Sequence, residues 1–447
     1  MMNYPKYESY KDSGIDWLGE IPRDWGIVRF TDSFVFSKGL TITKKDLKET
    51  GIPCISYGEV HSKYPFMFDP NKNRFKCVDN QFLKTNRSSL INYEDFIYAD
   101  TSEDIEGSGN FSQLISKDNA IFAGYHTIIC RYQLNDNKKF IAFFLDSLAY
   151  RHQVRKQVKG VKVYSITQSI LKNTNLCLPT LQEQNLIAKF LDQKTSQIDE
   201  AIRIKEKQIE LLKEQKQIMI QNAVTKGLDP NVKMKDSGVD WIGEIPEHWS
   251  VLPGFTIFKE NKDSNKGMKR DTVLSLSYGN IIIKPEEKLV GLVPESFETY
   301  QLVNSGDIII RCTDLQNDKT SLRTGIARDN GIITSAYINL RVVNSSNKDY
   351  VHEFLHVFDI TKAMYKYGSG LRQNLTFKDF KYLSILQPSI KEQNEIVEFL
   401  AAISKNIEDY NELLQQQISK LKEYKTTLIN SAVTGKIKVT PEMVGEA

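Results

Sequence analysis

The amino-acid sequence predicts a mixed α/β (α+β) protein in which one plan is written twice: a short leading segment, a variable globular block and a long helix. Three internal matches predict it. Lys11-Asp-Ser-Gly-Ile-Asp-Trp-Leu-Gly-Glu-Ile-Pro-Arg-Asp-Trp25 returns as Lys235-Asp-Ser-Gly-Val-Asp-Trp-Ile-Gly-Glu-Ile-Pro-Glu-His-Trp249, with eleven of 15 positions identical at an offset of 224. Residues 138–162 align with 348–372 at an offset of 210, placing Phe144-Leu145 on Phe354-Leu355 and Lys156 on Lys366. Residues 179–225 align with 388–434 at an offset of 209, so that Glu183-Gln-Asn185 becomes Glu392-Gln-Asn394 and Ala223-Val-Thr225 becomes Ala432-Val-Thr434. The falling offset makes the second copy 15 residues shorter between these landmarks.

The long helices follow from what the sequence lacks and from its period. Glu183 to Val224 holds no Pro or Gly across 42 residues, about 63 Å of helix at 1.5 Å per residue. Alternate steps of four and three give a heptad seam of Ile198, Ile202, Lys205, Ile209, Leu212, Lys216, Met219 and Ala223, with a second apolar row at Ile204, Leu211 and Ile218. The second copy gives Ile407, Asn411, Leu414, Ile418, Leu421, Lys425, Leu428 and Ala432. Both place a lysine, Lys216 or Lys425, at the same heptad position. A helix of this length overhangs a block of about 150 residues, so the two helices are expected to pair. Lys226-Gly-Leu-Asp-Pro230 ends the first helix.

The blocks read as mixed α/β. Ala120–Ala123, His126–Cys130, Ile281–Ile283 and Asp307–Ile310 are β-like runs between Gly, Asn and Asp turns, and 140–159 and 351–367 each read as one amphipathic helix.

Composition narrows the function. Of 447 residues, 40% are hydrophobic and 26% charged, an ordinary globular balance. No apolar run approaches 18 residues and the first residues are polar, so neither a secretory signal nor a membrane span is expected. Cys54, Cys77, Cys130, Cys177 and Cys312 stand singly, which suits a reducing cytoplasm and no cysteine metal site. The net charge of +3 permits a nucleic-acid partner without announcing one. Phosphate-loop, dinucleotide and nucleophile-elbow motifs are absent, as is an Asn-Pro-Pro-Tyr-like motif, so the chain reads as non-catalytic. One pattern competes: His352-Glu353-Phe354-Leu355-His356 matches the zinc-peptidase helix, with two ligands a turn apart and a glutamate to activate water. Its duplicate, Ala142-Phe-Phe-Leu-Asp146, keeps only the apolar pair, which marks the helix as a packing element with the histidines nearer the surface.

Binding residues stand out better. Residues 138–162 carry Lys138, Lys139, Arg151, Arg155, Lys156, Lys159 and Lys162 against Asp146 alone, a cluster that phosphates reward through counterion release. Tyr164, Ser165, Thr167 and Gln168 follow in one half, and Arg372, Gln373, Asn374 and Thr376, behind Lys366, in the other. Arg to guanine and Asn or Gln to adenine are the usual major-groove pairings. The loops bearing Lys38, Lys44 and Lys45, and Lys266, Lys269 and Arg270, are further basic candidates.

Together the repeated Lys-Asp-Ser-Gly-x-Asp-Trp-x-Gly-Glu-Ile-Pro-x-x-Trp segment, the Pro-x-x-x-Glu-Gln-Asn helix start and the Ala-Val-Thr exit resemble the specificity subunit of type I restriction–modification enzymes, over the whole chain and twice in order. The resemblance implies two target-recognition domains, 30–178 and 255–387, separated by two long antiparallel helices, 179–226 and 388–435, that form a coiled-coil spacer with an internal pseudo-twofold repeat. Residues 1–29 and 227–254 are the leading segments, the latter with a linker, and 436–447 a tail. It also implies double-stranded DNA as ligand, each domain reading half of a split site. Two modification subunits that use S-adenosylmethionine and two restriction subunits that use ATP and Mg are the implied partners, with no cofactor on this chain. Trp17, Trp25, Trp241 and Trp249 are expected to pack on the helices rather than touch DNA. A zinc metallopeptidase and a coiled-coil scaffold without DNA remain the rival readings at this point.

Overall fold

The structure, a computed structural model, describes residues 4–118, 120–160, 162–285, 287, 296–313, 315, 321–366 and 374–445. The chain forms two compact units, Met1–Lys205 with Gln416–Ala447, and Glu206–Gln415. Each unit holds one variable block, a part of each long helix and one leading segment.

The first block is built on a five-stranded sheet, in the order Phe34–Lys38, Thr127–Tyr132, Phe96–Ala99, Phe111–Leu114 and Phe66–Phe68, the last strand parallel to its neighbour and the rest antiparallel. Phe96–Ala99 and Phe111–Leu114 are buried at every position; the first is a continuous apolar run, while the second buries Ser112 and Gln113 between its apolar ends. A four-stranded sheet carries Ile52–Ile55 beside Ile121–Ala123. The second block repeats the larger sheet as Phe258–Glu260, Ile338–Val342, Ile308–Ile310 and Thr324–Ile326, all antiparallel. All four β-like runs of the sequence fall on strands.

Each block's helix is broken where the sequence suggested continuity. The first is two helices, Lys138–Asp146 and Leu148–Gln157, divided at Ser147. Ser147 is extended (φ −67°, ψ 153°), and its Oγ accepts from the Tyr150 N–H to cap the second helix. In the second block Lys348–Ile360 ends before Lys362, whose φ of +58° turns the chain into a 3₁₀ turn at Ala363–Lys366. Tyr367 lies outside the described residues.

The long helices span Leu181–Lys226 and Ile390–Val433. They pack antiparallel within each unit: Asp199 meets Lys425 (2.7 Å) and Lys205 donates to Gln417 (2.6 Å) in the first, while Lys216 meets Glu408 (3.2 Å) in the second. The seam is where the period put it. Ile198, Ile202, Ile209, Ile407, Leu414 and Ile418 are buried, Leu212, Lys216, Leu421 and Lys425 half-buried, and Ile204, Leu211 and Ile218 about half exposed. Because Asp199 and Glu408, like Lys216 and Lys425, are related by the offset of 209, the two ion pairs are one contact written twice with the strands exchanged. Such exposed pairs stabilise by at most about 1 kcal/mol and serve register more than strength.

Both helices begin with the same junction. Trp25, 1% exposed, donates its Nε1–H to Glu183 (3.1 Å), and Trp249, equally buried, to Glu392 (3.2 Å). Trp241 packs on Phe354 and Phe358, and Trp17 lies half-buried beside Leu148 and Asn430, so the four tryptophans are framework residues. Gln184 and Gln393 are fully buried and accept the backbone N–H of Asn137 (2.9 Å) and Asn347 (2.8 Å), while Asn185 and Asn394 accept from those asparagines' side chains (2.7 Å each). Asn137 and Asn347 in turn cap the block helices.

Burial pushes the Glu392 carboxyl up, but hydrogen bonds from His248, Ser389 and Trp249 outweigh it and hold the group at about 2. A depressed carboxylate stabilises the fold above its unfolded pKa and loses that contribution as the pH falls through the folded value. Glu392→Ala should therefore destabilise the chain by about 1–3 kcal/mol at pH 7, because the Trp249 N–H is left buried without an acceptor. The difference from the native chain in denaturant titrations should close as the pH drops from about 4.5 toward about 2. A Glu392→Ala variant as stable as the native chain at neutral pH would rule the bond out as a support.

Candidate nucleic-acid interface

Sequence showed charge, and the structure shows which charges are already paired. Of the seven cations in 138–162, Lys138 pairs with Glu94 (3.1 Å), Lys139 with Asp192 (2.6 Å) and Arg151 with Asp146 (2.7 Å). Arg155 is half-buried, donates to the Glu106 carbonyl, and is drawn below the usual guanidinium value by burial and then by Arg151. Lys156, Lys159 and Lys162 remain exposed, at the end of Leu148–Gln157 and on the loop after it.

That loop returns as the short strand Tyr164–Ser165, paired antiparallel with Thr101–Ser102. The pairing sets half-buried Tyr164 opposite Ser102, between Val163 and Ile166, which line two adjoining open clefts. One, of about 580 Å³, is lined by Lys38 to Ile42, Asp100, Tyr125 to Ile128 and Ile166 to Ser169. The other, of about 550 Å³, is lined by Tyr57, His61, Ser102, Asp104, His126 and Val163 among others. His126 lines both clefts. Its φ is +56°, its side chain is 57% exposed, and its Nδ1 lies 3.1 Å from Asp100 Oδ1, which fixes the ring and leaves Nε2 facing outward. The Asp100 backbone holds this centre together, donating to the His126 carbonyl (3.1 Å) and accepting from Ile166 N–H (2.8 Å).

Lys38, Thr167 and Gln168, predicted from two separate stretches, thus line one cleft with this histidine, and Tyr164 stands on the strand beside it. Lys44 and Lys45 are exposed on a 3₁₀ turn capped by Thr43 and Asp46, just beyond Ile42. Sequence reasoning missed Asp100 and His126. The available signal was the Gly124-Tyr125-His126 interruption between two apolar strands.

In the second block Lys266 and Lys269 are exposed on a turn whose Gly267 N–H is held by Glu298 (2.7 Å). Arg270 is engaged within the fold, donating to the Val303 carbonyl (2.5 Å) and Asn304 (2.8 Å). Lys366 and Asn374 are exposed, and Arg372 and Gln373 lie outside the described residues.

The zinc-peptidase pattern does not build a centre. Phe354 and Leu355 are fully buried in the core, as their duplicate implied, and the half-buried rings of His352 and His356 stack 6.1 Å apart. His356 Nδ1 is 3.4 Å from Thr324 Oγ1, and among the described residues no three His, Cys, Asp or Glu side chains gather to hold a metal. No helix of the described residues is long and apolar enough to cross a membrane.

Comparison with known proteins agrees with this architecture. The family described as "Type I restriction modification DNA specificity domain" matches residues 22–214 and again 252–422. The Type I restriction enzyme MjaVIII specificity subunit of Methanocaldococcus jannaschii is 25% identical, with 98% of each chain covered. A solved chain from a study of complex assembly and conformational transition of the type I R-M system shares the fold with a TM-score of 0.64 at 14% identity, covering 92% of this chain and 98% of that one. The crystal structure of the HsdS subunit from Thermoanaerobacter tengcongensis gives 0.50 at 15% identity, covering 93% and 98%. With the family matched once per repeat and a named relative matched end to end, the chain belongs to the specificity subunits of type I restriction–modification enzymes, the non-catalytic chains of those complexes.

Proposed function

We propose that each variable block reads one half of a bipartite, asymmetric site in duplex DNA, and that the chain directs methyltransferase and restriction subunits to that site. One observation carries the reading: two copies of the same frame enclose blocks whose larger sheets share the order of four antiparallel strands and whose remaining strands and surfaces differ. An asymmetric split target needs that combination, whereas a symmetric one would need two like blocks. In the first block the contacts fall to Lys38, Lys44, Lys45, Arg155, Lys156, Lys159, Lys162 and Tyr164, and in the second to Lys266, Lys269, Arg270, Lys366, Arg372, Gln373 and Asn374. The exposed lysines supply phosphate contacts and the polar side chains read base edges. Two modification subunits bring S-adenosylmethionine, and two restriction subunits bring ATP and Mg, so the reaction chemistry lies outside this chain. A net charge of +3 suits a chain whose partners share the phosphate contacts.

Exchanging residues 30–178 for another block should change only one half of the methylated site, as mapped by methylation-sensitive sequencing of complexes that assemble normally. A swap that alters both halves would count against independent reading.

The helix pair is the second element of the proposal, as the part that sets the unread gap. Four residues inserted after Glu206 add about 6 Å of helix and nearly keep the seam register. The gap should lengthen by about one or two base pairs with both half-sites unchanged. Two inserted residues turn the seam by about 200° and should impair assembly. A four-residue variant that assembles and methylates only the original spacing would exclude the helices as the ruler.

A further inference from the structure

We propose that a Ser-Tyr-Gly triplet present once in each block presents a base-contacting tyrosine to the major groove, and that Tyr57 and Tyr278 each help set the sequence accepted by their own block. This rests on the two-block reading above.

The triplet is a fourth internal match. Ser56-Tyr57-Gly58 and Ser277-Tyr278-Gly279 stand at an offset of 221, between the 224 of the leading segments and the 210 of the block helices. Each follows an equivalent strand. Ile52–Ile55 runs parallel to Ile121–Ala123, and Leu274–Ser277 approaches Gly331–Ile333 through a parallel bridge at Val273 and Ile332. The triplet therefore follows the corresponding strand in both blocks, although in the first block Tyr57 and Gly58 (φ −65°, ψ −36°) lead into the helical turn Glu59–Lys63.

In the second block it is the tip of a two-residue hairpin, with Ser277 paired to Asn280. Tyr278 has a φ of +48° and Gly279 of +81°. Tight hairpins of this kind favour Asn, Asp or Gly at the first position, because a larger side chain is strained there. Tyr278 accepts that strain and gains no packing in return, since it is 91% exposed. A strained residue without a structural benefit points to function. The hairpin's root is rigid: Leu274 and Ile281 are buried in a small core with Val303 and Ile309, and Gly279 lies against Leu322. The ring is thus held outward from a fixed base on a two-stranded ribbon, a shape that the major groove of B-DNA admits.

In the first block Tyr57 lies edge-on to Tyr125 and His126, each ring 5.7 Å away, and lines the cleft walled by Val163 of the lysine-bearing loop. The loop that brings Val163 to this cleft also carries the exposed Lys162, which suits the duplex of the two-block reading as occupant. The positions of Tyr125 and His126 correspond to Ser335 and Ala336, both small and exposed, which explains why Tyr278 stands free.

The test uses the complex reconstituted with its modification subunits, and duplexes carrying the site mapped for the native complex, each base pair changed singly. Tyr278→Asn and Tyr278→Ala should lower the methylation rate on the intact site by about tenfold or more. Both should weaken discrimination at adjacent positions of the second half-site only, and Tyr57→Ala should do the same in the first. Tyr278→Asn, which suits a positive φ, should raise the thermal midpoint while methylation falls, a split that a structural role for the ring cannot produce. Native-like rates and discrimination in Tyr278→Asn would overturn the inference and leave the two-block reading standing. Loss of modification-subunit binding would assign the tyrosine to a protein contact and overturn it as well. A native complex that methylates no defined site would instead defeat the two-block reading itself.

Discussion

The structure depends on a polar junction in which a fully buried glutamine joins each long helix to its block. Gln184 and Gln393 accept a backbone N–H from the asparagine that caps the block helix, and each donates to the carbonyl of the proline before its own helix, at 3.0 and 2.9 Å. The asparagine is saturated in turn, its Oδ1 on two helix N–H groups and its Nδ2 on Asn185 or Asn394. A buried amide left without a partner costs about 1–3 kcal/mol, so these groups hold only one arrangement well. Every bond in the junction goes to backbone or to another member of the repeated motif, except that Gln184 also reaches Asp136. The rest of the block's side chains can therefore change without disturbing how the block is mounted.

The second frame is continuous in sequence, and the first is assembled from both ends of the chain. In the second, Gly227 at the end of the first long helix abuts Pro246 and Trp249, 19 and 22 residues on. In the first, Gly435 at the end of the second helix abuts Pro22 so closely that a Cβ would come within 2.3 Å of its ring, and its φ is +71°. The tail is fastened there by Lys438 N–H to the Pro5 carbonyl (2.7 Å) and Lys436 Nζ to the Glu20 carbonyl (2.7 Å). The same contacts thus form locally in one copy and across more than 400 residues in the other. The long-range copy carries the larger chain-closure entropy.

The repeat and the heptad seam were legible because they are periodic, and periodicity reports burial directly. The breaks at Ser147 and Lys362 were not, since a serine whose hydroxyl caps the next helix looks like any polar helix residue until its backbone angles are known. The basic cluster was legible as charge, but its partners Glu94 and Asp192 lie far off in sequence, so paired lysines could not be told from free ones. Lys38 was found on one loop, and Thr167 and Gln168 in the stretch after Tyr164. The Asp100–His126 pair that shares their cleft rests on a single left-handed residue between strands, a feature without a sequence period. The His352 pattern failed for the converse reason: spacing places two rings on one helix face, but a metal centre also needs ligands from elsewhere in the fold.

The two blocks place their differences where differences are inexpensive. Strands such as Phe96–Ala99 and Ile308–Ile310 are buried throughout, so a change there opens a cavity or forces repacking and costs several kcal/mol. In the turn between Ile121–Ala123 and Thr127–Tyr132, Tyr125 is half-buried and His126 exposed, and the second block carries Ser335-Ala336 there between the corresponding strands. Turns therefore hold the outward-facing aromatic and polar groups, while the sheet beneath fixes their positions. An outward surface hung on turns above a shared core of strands can change its side chains without a new fold, while the polar junction mounts the block on its helix in the same way.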